Sequence, residues 1–149
     1  MLSVGSPAPD VVLTNQHAEV VDLATLRGKR VLVFFYPKAN TPGCTQQACG
    51  LRDVAGSVEN TVIVGISPDK PAKQAKFDEK YGLGFPLLAD EDHAVAEAFG
   101  AWGEKSMYGK KYMGIIRSAY LIDETGKIQE AWPKVSPKDT PANLLKSLG

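Results

Sequence analysis

From Val31 to Tyr36 the chain runs Val-Leu-Val-Phe-Phe-Tyr, an unbroken apolar, β-branched and aromatic stretch entered from Arg30 and ended by Pro37. Such a run has no polar face, so it fits a strand buried on both sides at the heart of a sheet. After the loop Pro37 to Gly43, the segment Thr45 to Val58 carries Ala48, Leu51, Val54, Ala55 and Val58. These lie mostly three or four apart, the spacing of an amphipathic helix. Thr61 to Ile66 reads as the next buried strand, and Pro71 opens a helix to about Tyr81 that Gly82 ends. The β-α-β-α alternation implies a parallel core.

The flanks extend this core. Val11 to Leu13 and Glu19 to Asp22, separated by Thr14-Asn15-Gln16-His17, form a short N-terminal hairpin. Phe85 to Ala89 is a shorter strand, and Asp92 is expected to cap a helix through Val95, Ala96 and Phe99 that stops at Gly100. Ile115 to Ile122 and Lys127 to Trp132 flank Asp123-Glu124-Thr125-Gly126, a loop of hairpin length, so an antiparallel pair joins the sheet there. Pro141 to Leu148 makes a closing helix. The expected fold is α/β: a mixed central sheet with helices on both faces and an N-terminal β-hairpin, the thioredoxin-like arrangement. With no repeat, low-complexity tract or linker, residues 1–149 are read as one domain.

Seventeen basic and seventeen acidic side chains cancel, which leaves no overall field to attract nucleic acid or an anionic membrane. A small neutral substrate or a protein partner fits better. No stretch approaches the roughly 18 to 20 apolar residues of a membrane helix. The N-terminus lacks the basic and long apolar segments of a secretory signal, so a cytoplasmic location is expected. Two cysteines cannot build a disulfide scaffold, and in a reducing compartment they point to a catalytic or redox dithiol.

The chemically informative stretch is Phe34-Phe35-Tyr36-Pro37-Lys38-Ala39-Asn40-Thr41-Pro42-Gly43-Cys44-Thr45-Gln46-Gln47-Ala48-Cys49. It resembles the active site of peroxiredoxins, marked by Pro, three residues, Thr or Ser, two residues, Cys; Pro37, Thr41 and Cys44 fill that pattern in register. The second cysteine five residues on resembles the subgroup called Q-type peroxiredoxins or bacterioferritin comigratory proteins. The likeness continues through Gly65 to Asp69, Phe85 to Asp90, Trp102 to Lys105, Tyr112 to Ile115 and Arg117 to Asp123. It implies a thiol peroxidase in which Cys44 attacks hydrogen peroxide or an organic hydroperoxide and Arg117 supplies the active-site cation. The same likeness implies that Cys49 resolves the product as a Cys44–Cys49 disulfide, expected to be reduced by thioredoxin or a similar dithiol. A monomer is expected on the same ground.

The residue types suit that chemistry. A thiolate is the nucleophile, and a sulfur in the first turn of a helix faces unsatisfied N–H groups and the positive end of the dipole. The Thr41 hydroxyl is expected to donate to sulfur or to a peroxide oxygen. Pro37, Pro42 and Gly43 are expected to shape a small, shielded pocket, the two prolines by restricting the backbone. Arg117 stays charged where a lysine could lose its proton. No flavin, haem or metal is called for, since sulfur itself carries two electrons. Residues five apart on a regular helix are turned by about 140° and separated by roughly 8 to 9 Å at Cα, whereas a disulfide tolerates about 7 Å. The helix must therefore unwind before Cys44 and Cys49 can bridge, and Gly43 and Gly50 are expected to ease this.

In one place the chain departs from the subgroup: Gln47 stands where Glu is common, three residues after Cys44. An amide can still bond Arg117 but does not offset its charge. His17 and His93 read as surface histidines, and Cys-x₄-Cys with isolated histidines lacks zinc-site spacing. Trp102, Tyr108 and Tyr112 read as pocket wall or hairpin packing, and Lys110-Lys111 as a solvated edge. Two alternatives share the scaffold: a disulfide oxidoreductase, which would normally show Cys-x-x-Cys, and a non-enzymatic binding module.

Overall fold

The computed structural model describes residues 2–148. Seven strands form one mixed sheet: β1 (Val12–Thr14), β2 (Val20–Asp22), β3 (Arg30–Phe35), β4 (Thr61–Ser67), β5 (Leu87–Ala89), β8 (Ser118–Ile122) and β9 (Ile128–Trp132), in the order β2-β1-β5-β4-β3-β8-β9. β3 pairs parallel with β4 and antiparallel with β8, so the apolar run is central as its sequence requires. Strands β6 (Trp102–Met107) and β7 (Lys110–Ile115) form a separate two-stranded ribbon. Helices α1 (Pro42–Ala55), α2 (Pro71–Tyr81), α3 (Ala94–Ala98) and α4 (Asp139–Leu148) complete the order, with a 3-10 turn at Leu23–Leu26. The arrangement is thioredoxin-like, with the N-terminal hairpin in place. None of the described helices is long and apolar enough to cross a membrane.

The period of two along the central strands divides the core. Leu32, Phe34 and Tyr36, with Ala119 and Leu121 of β8, pack against Cys44, Ala48 and Leu51 of α1, Phe77 of α2 and Leu144 of α4. Val31, Val33 and Phe35, with Tyr120 and Ile122, face the other way onto Leu23, Ala96, Phe99 and Ile115. Each large apolar side chain fully buried in these layers contributes about 1.5 to 3 kcal/mol. This double burial is why β3 has no polar face.

Three local readings need correction. Helix α1 covers Pro42–Ala55 rather than Thr45 to Val58, because Pro42 takes the first helical position, where its missing N–H costs nothing. The helix after β5 is only five residues long and its N-cap is His93, in a left-handed conformation. Asp92 accepts from the N–H of Ala94, while the buried Asp90 carboxylate takes those of Val95 and Ala96. The run Ile115 to Ile122 is not one strand: β7 ends at Ile115, β8 begins at Ser118, and Ile116 and Arg117 form the crossing between ribbon and sheet. There the Ile116 N–H bonds the Ala101 carbonyl and the Arg117 carbonyl accepts from Val135.

Candidate active site

Cys44 occupies the third position of α1, after the N-cap Thr41. The Thr45 N–H bonds the Thr41 carbonyl at 2.8 Å, so the N–H groups of Gly43 and Cys44 precede the helical ladder and have no acceptor within it. Only 1% of Cys44 is exposed, which limits attack to a small group that reaches into the site. Arg117 Nη2 lies 3.4 Å from Cys44 Sγ, and its Nη1 donates to Gln47 Oε1 at 2.8 Å. Residues 73 apart in the sequence are thus joined, and the cation faces the sulfur.

Gly43 explains how the guanidinium fits. A Cβ at that position would lie 3.1 Å from Arg117 Nη2 and 3.4 Å from Cγ of Pro137. The glycine therefore makes room for Arg117 rather than lining the pocket. That pocket is an open cavity of about 500 Å³ whose walls include Pro37, Ile116 and Val135, with Arg117, Lys105 and Lys134 supplying positive charge. Pro37 lines this cavity, whereas Pro42 and Gly43 belong to the first turn of α1. Burial pushes the Lys105 ammonium below its ordinary pKa, Arg117 adds repulsion, and Cys44 offsets part of the effect.

The Thr41 hydroxyl does not donate to the sulfur here; it donates to the Lys38 carbonyl at 2.8 Å and so braces the loop. The loop is also held from the bend that follows β4, where the Asp69 carboxylate accepts from the Ala39 N–H and from the Ser67 hydroxyl, both at 2.7 Å. Ser67 accepts in turn from Gln74, whose side-chain carbonyl accepts from the Tyr36 hydroxyl. Burial raises the Tyr36 phenol far above its ordinary value, so it stays a neutral donor. Asp69, Gln74 and Lys105 were not singled out from the sequence. The resembling segments that end at Asp69 and Lys105 were the signal available for two of them.

Both cysteines are free, Cys44 buried and Cys49 half-buried, with α1 unbroken between them. Gly50 does not merely loosen the helix: a Cβ there would meet Cγ of Pro141 at 2.7 Å, so it permits α1 and α4 to touch. His17 is exposed, and His93 stacks on Trp102 with ring centroids 3.7 Å apart. Among the described residues, no three metal-ligating side chains come together.

A buried thiol at a helix N-terminus, an arginine against it and a cavity lined by that arginine suit two-electron chemistry on a small oxidant. Residues 4–131 match the model of the AhpC/TSA family. The chain is a peroxiredoxin of that family. It is 46% identical over 149 residues to Peroxiredoxin Bcp of Bacillus subtilis, covering 99% of this chain and 95% of that one. To Peroxiredoxin Bcp of Escherichia coli it is 53% identical over 133 residues, 88% and 85% of the two chains. Among solved structures, the bacterioferritin comigratory protein of Xanthomonas campestris superposes with a TM-score of 0.89 at 31% identity, covering 99% and 96%. This peroxiredoxin is therefore an enzyme of the thiol peroxidase class, and neither the disulfide oxidoreductase nor the binding module is favoured.

Proposed function

We propose that this peroxiredoxin reduces hydrogen peroxide and organic hydroperoxides through Cys44 and resolves the product through Cys49. The observation that carries the reading is the 3.4 Å approach of Arg117 Nη2 to a Cys44 sulfur held in the first turn of α1. The thiolate attacks one peroxide oxygen; an S–O bond forms as the O–O bond breaks, and the sulfur gives up two electrons. Negative charge grows on the departing oxygen, where a guanidinium already in place stabilises it without reorganisation. That oxygen takes a proton and leaves as water or alcohol. Thr41, the N-cap three residues before Cys44, re-aims its hydroxyl from Lys38 to the bound peroxide.

Cys44 is then a sulfenic acid. The Cys49 thiol attacks it, an S–S bond forms and water departs, after α1 has unwound in its first turns. A dithiol reductant of the thioredoxin kind returns two electrons and two protons. The apolar Pro37, Ile116 and Val135 beside Arg117 support acceptance of an alkyl group, in keeping with the alkyl peroxide reduction activity named for the Xanthomonas campestris relative. We assign the enzyme to the cytoplasm as a monomer, since the intramolecular dithiol needs no second subunit to close its cycle.

Peptide mass spectrometry on the reduced protein, before and after one equivalent of hydrogen peroxide, tests this directly. A Cys44–Cys49 disulfide in the wild type, absent from Cys44→Ser, is the expected result. Two free thiols in a folded, peroxide-treated protein would refute it.

A further inference from the structure

Arg117 is held through more than one side chain. Its Nη1 donates to Gln47 Oε1 at 2.8 Å, Gln47 Nε2 donates to Thr140 Oγ1 at 2.9 Å, and Thr140 Oγ1 donates to the Ser136 carbonyl at 2.9 Å. Gln47 and Thr140 are both buried, at 0% and 1% exposure, so water cannot substitute for a missing partner. A carbonyl only accepts, so the hydroxyl hydrogen of Thr140 is committed to Ser136 and its lone pairs must take a donor from Gln47. That requirement points the Gln47 amide nitrogen at Thr140 and its oxygen at Arg117. The opposite orientation would set an NH₂ against a guanidinium, donor against donor. The sense of the whole chain is thus fixed at its far end, in the segment that opens α4.

We propose that Thr140 is a positioning residue for Arg117, acting through Gln47, so that the site is competent only while the start of α4 is docked on α1. The inference rests on the assignment of Arg117 as the active-site cation. Two contacts set the same dependence: Pro137 lies against Gly43 and Pro141 against Gly50, both glycines of α1. Unwinding of α1 would break the Gln47–Thr140 bond and release Arg117 from its inner support, tying loss of the guanidinium's orientation to the step that follows chemistry. A network of buried, mutually polarised hydrogen bonds gives such couplings their strength.

The test is single-turnover consumption of hydrogen peroxide by the prereduced protein, comparing Thr140→Val, Thr140→Ser, Gln47→Met, the double variant Gln47→Met/Thr140→Val, and Arg117→Met. Thr140→Val keeps the side-chain shape and removes the hydroxyl, and should slow the reaction about tenfold, whereas Thr140→Ser should stay within about twofold of wild type. On the Gln47→Met background, Thr140→Val should cost less than about twofold more, because the path to Arg117 is already cut. A merely structural threonine would lower thermal stability equally on both backgrounds without this pattern in the rate. Should Thr140→Val fail to fold, Thr140→Ala takes its place in every comparison. A wild-type rate in Thr140→Val, an equal loss on both backgrounds, or a Thr140→Ser as slow as Thr140→Val would each overturn the proposal. If Arg117→Met itself reacts at the wild-type rate, the assignment of Arg117 falls and the relay with it. If Arg117→Met is slow and Thr140→Val is not, only the relay falls.

Discussion

Gly50 of α1 and Pro141 of α4 touch so closely that a methyl group on the glycine would lie 2.7 Å from the proline ring. The proline ring is anchored to its own backbone and cannot swing aside as a long side chain would. Gly50→Ala should therefore push the helices apart. Overpacking of this kind costs about 1 to 3 kcal/mol, against a gain of about 1 kcal/mol from helix propensity. Thermal melts of the reduced protein should show a net loss of stability, with each kcal/mol lowering Tm by about 2 to 4 °C. An unchanged or raised Tm would mean that α4 yields without cost.

Oxidation should expose the amides of α1. With the helix unbroken from Pro42 to Ala55, a Cys44–Cys49 bridge cannot close on the regular geometry. Hydrogen exchange over residues 44–54 should be much faster in the peroxide-treated protein than in the reduced one, while β3 and β8 keep their protection. Equal exchange in the two states would rule out the unwinding.

Replacing the amide that faces Arg117 by a carboxylate should alter the pH dependence of the reaction. Glu in place of Gln47 would offset the guanidinium charge and weaken its hold on a thiolate. The pH at which peroxide consumption reaches half its limiting rate should rise in Gln47→Glu. The same substitution would compete with Ser136 for the Thr140 hydroxyl, so the variant should also melt earlier. A profile that does not move would show that the charge balance at Arg117 is set elsewhere.

Acid sensitivity has one identifiable source in the β8–β9 turn. The Asp123 carboxylate accepts from the Lys127 N–H, from the Thr125 hydroxyl and from the Thr125 N–H. The Lys127 bond leads the interactions that hold its pKa below the ordinary carboxylate value. A depressed folded-state pKa stabilises the native form above the unfolded value, and that contribution is lost as pH falls through the folded one. Between pH 7 and about pH 5 Asp123 should have no effect on the slope of Tm against pH, and below about pH 4 it should steepen the decline. Asp123→Asn keeps an acceptor and removes the titration, so its acid limb should be flatter. Parallel curves below pH 4 would contradict this.

Where side chains alternate between two buried layers, the sequence declared the structure. β3 was legible because Val31, Val33 and Phe35 serve one core and Leu32, Phe34 and Tyr36 the other. The β6–β7 ribbon was not, since Met107, Tyr108, Tyr112 and Met113 are exposed and leave no buried face to set a pattern. Its turn places Tyr108 at φ 51° beside Gly109 at φ 78°, a conformation that Asn or Gly signals and tyrosine does not. Cys44 and Arg117 were found through motif resemblance, and the structure brings them together. Thr140 could not be found that way, because it meets Gln47 across 93 residues and nothing near it in the chain marks the contact.

The unbroken helix between the two cysteines also acts as a clock. In the proposed cycle, the sulfenic acid on Cys44 waits for α1 to melt, and during that interval a second peroxide can carry the sulfur on to the sulfinic state. The outcome is a race between a first-order conformational step and a second-order collision. At low peroxide the melting wins and turnover continues; above a threshold concentration, set by the ratio of the two rate constants, the enzyme retires itself. Side chains that fasten α1 to α4 would lower that threshold, and those that loosen the helix would raise it.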